Sequence, residues 1–253
     1  MFPPVAGDVI TLDDFVLHSE DAHTGFSINT DEFLGWYDSV DFRRDETLFT
    51  SAHGGFDSPG YLGARTLTWG GMCEADSPEE LRRYARAFGA LLWHGRTGRV
   101  VVRRGSDVTH TLAQRTMSSF EILPGDLLAR WKLQLRCPDP RIYGERRVFE
   151  QEPAYHYGSF PALPVMDVYG VLPIGTTING PDGKQYEITR PIAADEQVSI
   201  DMRDGRLRVN GQFVAGGVGR ADTWAIPPGV QFEHTATNLA VLKVTVTDTH
   251  LAG

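Results

Sequence analysis

Cysteine and lysine are scarce in this chain of 253 residues, and their scarcity narrows the field. The two cysteines, Cys73 and Cys137, form no CxxC pair and lie too far apart in sequence for a local thiolate metal site. Both are expected to be small, buried, apolar residues. Lysine occurs only at Lys132, Lys184 and Lys243, so nearly all positive charge is arginine. Long hydrophobic runs are missing too: stretches such as 239–242 or 100–102 fall far short of the roughly 20 residues that span a bilayer, and no membrane insertion is expected. Met1-Phe2-Pro3-Pro4 has neither the basic start nor the apolar stretch of a signal peptide, so export by that route is not expected. Basic residues are outnumbered, 24 against 33 acidic, and the formal charge of −9 argues against a nucleic-acid-binding surface spread over the chain.

Catalytic signatures are likewise absent. The histidines, at positions 18, 23, 53, 94, 110, 156, 234 and 250, form neither HxH nor HExxH, and there is no GxSxG nucleophile elbow. The glycine cluster Gly216-Gly217-Val218-Gly219 lacks the spacing of a phosphate cradle and is expected to be a flexible loop. Asp38, Asp41, Asp45 and Glu46 form the densest acidic group, but Arg43 and Arg44 run through it, as on a solvated or intersubunit face. Tyr155, Tyr157, Phe160 and Trp224 could stack on sugars, although packing in a core or linker is the simpler role. No catalytic, cofactor-binding or metal-ligating residue is therefore nominated, and the chain is expected not to be an enzyme.

What is present is an ordinary globular composition, 41% hydrophobic and 23% charged, over a length that suits one large domain or two average ones. Ser77-Pro78-Glu79-Glu80 combines an N-cap serine, a proline at the first helical position and a glutamate three residues after the cap, which predicts a helix start. Leu81, Tyr84, Ala85, Phe88, Leu91 and Leu92 continue it as one apolar stripe opposite Arg82, Arg83 and Arg86, giving a helix over 78–92 that ends before Gly95 and Gly98. Arg99 to Arg103 reads as a strand, and Trp131 to Cys137 alternates apolar and polar residues as a half-buried strand does. Pro138-Asp139-Pro140 stops that strand, leaving Tyr143 to fold back on the sheet.

From about Phe149 to Pro164 the texture changes to proline, glycine and aromatics, and a domain boundary is placed there, dividing the chain into 1–150 and 151–253. Beyond it Val198 to Arg203, Arg206 to Val209 and Gln212 to Val214 alternate between turn signals at Asp204-Gly205 and Asn210-Gly211, which predicts a three-stranded meander. A last strand over 239–247 puts Ala240, Leu242, Val244 and Val246 on one face, completing an all-β sandwich.

Trp131 to Tyr143, WKLQLRCPDPRIY, resembles the end of the N-terminal domain in distal tail proteins of long-tailed siphophages, where an alternating strand runs into a DP-x-x-Y-like motif, here Asp139-Pro140-Arg141-Ile142-Tyr143. The lone helix before it, Gly158-Ser159-Phe160-Pro161-Ala162-Leu163-Pro164-Val165 after it, Ile200-Asp201 ahead of the hairpin and Trp224-Ala225-Ile226-Pro227-Pro228-Gly229 before the last strand follow that family's order. The resemblance implies a mainly β chain: an N-terminal β-rich belt domain with one α-helix, then a C-terminal galectin-like β-sandwich. It implies a virion protein of the tail tip, assembled in the host cytoplasm, that self-associates into a ring, a homohexamer in this family. The tail tube protein, the tail-tip hub protein and the tape-measure protein would be its partners, with no cofactor and no catalysis. Six copies each carrying −9 would give DNA an acidic passage that it slides through without specific binding. Ring closure would require two different complementary surfaces on each copy. His234-Thr235-Ala236-Thr237-Asn238 has no arginine placed to complete a galactose grip. The competing readings are a carbohydrate-binding adhesion module, a cell-wall hydrolase built on paired carboxylates, and another belt-like tail subunit such as a hub or tube protein.

Overall fold

The computed structural model describes residues 8–19, 24–44, 47–49, 51, 53, 55–56, 60–238 and 240–253. The chain is mostly antiparallel β-structure, with a single α-helix among the described residues. It divides into two compact units, Met1–Ile142 with Leu251–Gly253 and Tyr143–His250. The change of unit falls at the start of the strand Ile142–Glu150, ahead of the proline- and glycine-rich stretch that suggested a boundary at 150.

The first unit contains β1 (Val9–Leu12), β2 (Phe15–Ser19), β3 (Phe26–Leu34), β4 (Phe42–Arg43), β5 (Thr47–Leu48), β6 (Gly55–Phe56), β7 (Tyr61–Leu62), β8 (Arg65–Glu74), α1 (Pro78–Gly89), β9 (Thr97–Arg104), β10 (Asp107–Ile122) and β11 (Leu128–Cys137). Seven of these strands pair in the order β2-β1-β9-β10-β11-β8-β3, while β4 with β7 and β5 with β6 form two short ribbons. The alternation seen in the sequence of β11 is its burial pattern: Trp131, Leu133, Leu135 and Cys137 are buried, Lys132 and Arg136 exposed. Ser77 caps α1, its hydroxyl accepting the Glu80 N–H at 3.2 Å. Phe88 carries the helix into an aromatic cluster, 5.5 Å from Trp131, 5.8 Å from Phe120 and 5.9 Å from Phe26, centroid to centroid. Aromatic pairs at such separations add to the stabilisation from apolar burial. The helix stops at Gly89 rather than at 92: the Leu91 N–H turns to the Phe88 carbonyl at 3.2 Å, and Leu92 takes a left-handed φ of 47° that keeps its side chain buried.

The second unit begins within β12 (Ile142–Glu150) and adds β13 (Val165–Tyr169), β14 (Thr176–Asn179), β15 (Gln185–Ile188), β16 (Val198–Asp201), β17 (Arg206–Val209), β18 (Gln212–Phe213), β19 (Val218–Ala221), β20 (Thr235–Ala236) and β21 (Val241–His250). One sheet runs β18-β17-β16-β13-β21-β12 and the other β19-β15-β14-β20. Their inner faces share one core: Met166, Ile200, Leu207, Leu242 and Val244 from the first meet Ile178, Tyr186 and Ile188 from the second, as in a sandwich. Trp224 lies in this core, and Gly180 makes room for it, since a Cβ there would stand 2.6 Å from the indole.

The meander forms as predicted, with Asn210 (φ 50°) and Gly211 (φ 77°) in the two-residue turn that their backbone freedom favours. The other turn is longer than Asp204-Gly205, because β16 already ends at Asp201, whose carbonyl accepts the Gly205 N–H at 2.8 Å and whose carboxylate accepts the Arg203 N–H at 2.8 Å. The last strand buries Leu242, Val244 and Val246 as expected and runs on to His250, with Ala240 buried just before it; Leu239 lies outside the described residues. The glycine cluster is not simply a loop. Val218 and Gly219 belong to β19, which pairs with β15, and the Gly217 carbonyl accepts the Thr189 N–H at 2.8 Å, so backbone pairing orders a segment that its composition marked as flexible. Tyr143 opens the second unit under Arg203, whose guanidinium lies 5.6 Å from the ring and donates to the phenol oxygen at 2.9 Å.

Candidate assembly surfaces

Both cysteines and three of the histidines are turned to packing. Cys73 and Cys137 are buried, and burial pushes their thiols up to about 12 and about 11. His156 is fully buried, its Nδ1 accepting the Gly158 N–H at 3.0 Å while Nε2 donates to the Ile226 carbonyl at 2.9 Å. His234 is buried, its Nε2 accepting from the Trp224 indole at 3.1 Å, and Asn238, in the same segment compared with a galactose grip, donates to Thr176 Oγ1 at 3.1 Å. His18 accepts the Ile28 N–H at 3.2 Å, and His23 lies outside the described residues. Among the described residues no three His, Cys, Asp or Glu side chains stand together as metal ligands would, and no helix is long and apolar enough to cross a membrane.

Of the acidic group, Asp38 and Asp41 border one recess, lined also by Arg65 and Thr66. Asp38 accepts the Gly35 N–H at 2.6 Å and closes a turn, Asp41 is exposed and its carbonyl accepts the Gly63 N–H, and Asp45 and Glu46 lie outside the described residues. Of the four aromatics, Trp224 is core, Phe160 and Tyr155 are half-buried, and only Tyr157 is exposed, at 69%. Tyr155 and Tyr157 meet edge to face at 5.4 Å.

Within the first unit, among the described residues, two strand edges run unpaired over part of their length. Gln114 of β10 is paired on both sides, with Thr97 of β9 and Arg136 of β11. Pairing with β9 ends there, while β11 stays with β10 as far as Ile122. Over 115–122 no strand of this unit pairs, among the described residues, with the edge that β9 has left. A bulge at Thr116, where the register to β11 shifts, turns this stretch relative to the first half of the strand. At the other end of the sheet β3 pairs, among the described residues, only with β8. Between Ile28 and Phe33 its ladder is interrupted, so that 29–32 face the single residue Gly70. Glu32 lies across that glycine, where a Cβ would stand 2.7 Å from its carboxylate, and it accepts from Asn29 at 2.8 Å and pairs with Lys132 at 3.5 Å. Open edges are templates for further strand pairing, and bulges and charges are the means by which proteins restrict which partner is accepted. These two edges differ: the β10 stretch carries Arg115, Met117 and Ser119, the β3 stretch Asp31 and Glu32. The sequence gives no sign of either, because where a strand loses its neighbour depends on register with distant segments.

No family model matches the chain, and no curated protein matches it. Among solved structures it is similar to the Dit (gp 19.1) protein of phage SPP1, described as a paradigm of the hub adsorption apparatus in phages that infect Gram-positive hosts, at 17% identity and a TM-score of 0.72 over 96% of this chain and 98% of that one. A weaker likeness, 8% identity and a TM-score of 0.47 over 83% of this chain and 87% of the other, is to a chain of the phage P2 baseplate in its activated conformation with Ca.

Proposed function

We propose that this chain is a structural subunit of a phage tail tip, a distal tail protein that closes into a ring and does no chemistry of its own. The observation that carries the reading is the likeness in fold to SPP1 Dit, which takes in both units and nearly the whole of both chains. The first unit would be the belt that forms the ring and the second the galectin-like sandwich, with six copies per ring. The tail tube protein would stand on one side of the ring and the tail-tip hub protein on the other, the tape-measure protein and then DNA passing through the bore.

Ring closure needs a heterologous contact, in which each copy presents one surface to one neighbour and a different surface to the other. The two open edges of the first unit meet that need, the β10 edge over 115–122 of one copy running beside the β3 edge of the next. With a charge of −9 per copy, the bore is expected to be lined by acidic or neutral side chains, so that DNA finds no set of cations to displace its counterions. Virion tail tip is the corresponding location, with assembly in the host cytoplasm. Negative-stain microscopy of the purified protein tests the proposal: rings with a central hole are expected, and a monomer at high concentration, alone or mixed with tail-tube and hub subunits, would overturn it. A bore lined by arginine would overturn the account of DNA passage while leaving the ring standing.

A further inference from the structure

In the second unit Tyr157 is both exposed and fixed. Its side chain stands in solvent, yet its backbone N–H donates to Asp248 Oδ1 at 2.8 Å, and the Arg147 guanidinium lies 4.7 Å from its ring centroid. Tyr155 meets it edge-on, backed in turn by the buried Phe149 at 5.0 Å. Arg147 is itself held between Asp248, at 2.6 Å, and Glu145, with 20% of its side chain exposed and 9% of that of Asp248. Arg147 lies over the phenol ring and Tyr155 meets it edge to face, yet the residue remains 69% exposed.

We propose that the exposed ring of Tyr157, beside the Arg147–Glu145 ion pair, is a carbohydrate subsite that takes one pyranose ring. An aromatic face accepts the C–H side of a sugar, and a carboxylate with a guanidinium beside it matches the ring's vicinal hydroxyls, which both donate and accept. Because the platform is ordered before any ligand arrives, binding does not have to immobilise it. A protein partner fits the patch less well. The flanking Glu145, Arg146, Gln151 and Glu152 are exposed and polar, whereas a stable protein interface needs about 1,000 Å² or more with an apolar centre. The subsite uses none of the residues of the His234–Asn238 segment and does not rest on the ring reading.

Saturation-transfer NMR on the full chain, with the methyl glycosides of glucose, galactose, rhamnose and N-acetylglucosamine as probes, tests it. Transfer to ring C–H protons of at least one glycoside is expected. Tyr157→Ala should weaken that binding about tenfold or more, and Tyr157→Phe, which keeps the ring face, by less than about threefold. Glu145→Gln leaves the aromatic platform in place and should weaken binding severalfold, a readout that survives if Tyr157→Ala does not fold. No transfer from any probe, or equal binding by wild type, Tyr157→Ala and Glu145→Gln, would overturn the proposal. So would a Tyr157→Ala protein that loses self-association while glycoside binding persists, since the patch would then be a protein contact.

Discussion

Arg65 Nε donates to the carbonyl oxygen of Pro140 at 2.8 Å, joining segments 75 residues apart. The rest of the guanidinium is spent in the same way, on the carbonyls of Gly35 at 2.5 Å, Asp38 at 3.0 Å and Leu251. With 2% of the residue exposed, and burial pulling its pKa down, Arg65 is a fork of donors that fastens three stretches of the first unit through their backbones. Replacing it leaves several part-buried carbonyls without a donor, each costing up to about 1–3 kcal/mol. Arg65→Ala is expected to lower the urea-unfolding free energy of this unit by at least about 3 kcal/mol, and Arg65→Lys to recover little, because an ammonium group has no planar fork. A variant within about 0.5 kcal/mol of wild type would remove Arg65 from this role.

Ser77 governs the start of α1 through one side-chain oxygen, and Glu80 returns the interaction by accepting the Asp76 N–H at 3.1 Å. Ser77→Ala should cost about 1 kcal/mol by urea unfolding, while Ser77→Asp should be close to neutral because a carboxylate caps equally well and favours the positive end of the helix dipole. Equal losses in both variants would mean that the cap contributes through packing instead.

Local chemistry was the legible part of this chain. The cap at Ser77, the alternation over 131–137 and the Asn210-Gly211 turn each depend on a few neighbouring residues, and each is found where the sequence placed it. Features that depend on distant partners were not legible. The helix ends early because Leu92 reaches back into the core, and Val218–Ala221 is a strand because β15 is there to pair with it. Pairing on one side of β10 stops at Gln114 because β9 begins at Thr97, and the cluster around Tyr157 needs β12 and β21 to bring Arg147 and Asp248 to one residue. The sequence marked Tyr157 as one of four aromatics able to stack on sugars, with packing the simpler role; its exposure and fixed orientation were not legible there.

His234 makes the second unit sensitive to acid. Its ring lies between Phe232, edge-on at 4.8 Å, and Trp224, stacked at 6.1 Å, and burial pulls its pKa from 6.5 to about 4. Because the unfolded chain takes up this proton first, the contribution is complete above pH about 6.5 and is lost as the pH falls to about 4, amounting to as much as about 3 kcal/mol. The urea midpoint of the wild type should therefore drop further between pH 7 and pH 4.5 than that of His234→Gln, which keeps an acceptor for the Trp224 indole but has no proton to gain. Parallel drops in the two proteins would exclude His234 as the cause.

If neighbouring copies pair the β10 edge of one with the β3 edge of the next, a cysteine on each edge should report it. Ser119 and Thr30 are both exposed and lie on the two stretches, and the native Cys73 and Cys137 are buried with thiols pushed well above neutrality, so neither should compete for oxidation. In the protein carrying Ser119→Cys and Thr30→Cys, mild oxidation should give a ladder of linked species on a non-reducing gel, ending at the copy number of the ring. Each single variant can join at most two copies through that one thiol, so a ladder from either alone would point to another reaction. A disulfide needs Cα atoms within about 7 Å, which only close alignment of the two edges provides. Rings seen by microscopy without a ladder would therefore leave the ring in place and reject this pairing of edges; a ladder beyond six copies would make the assembly an open helix or a larger ring.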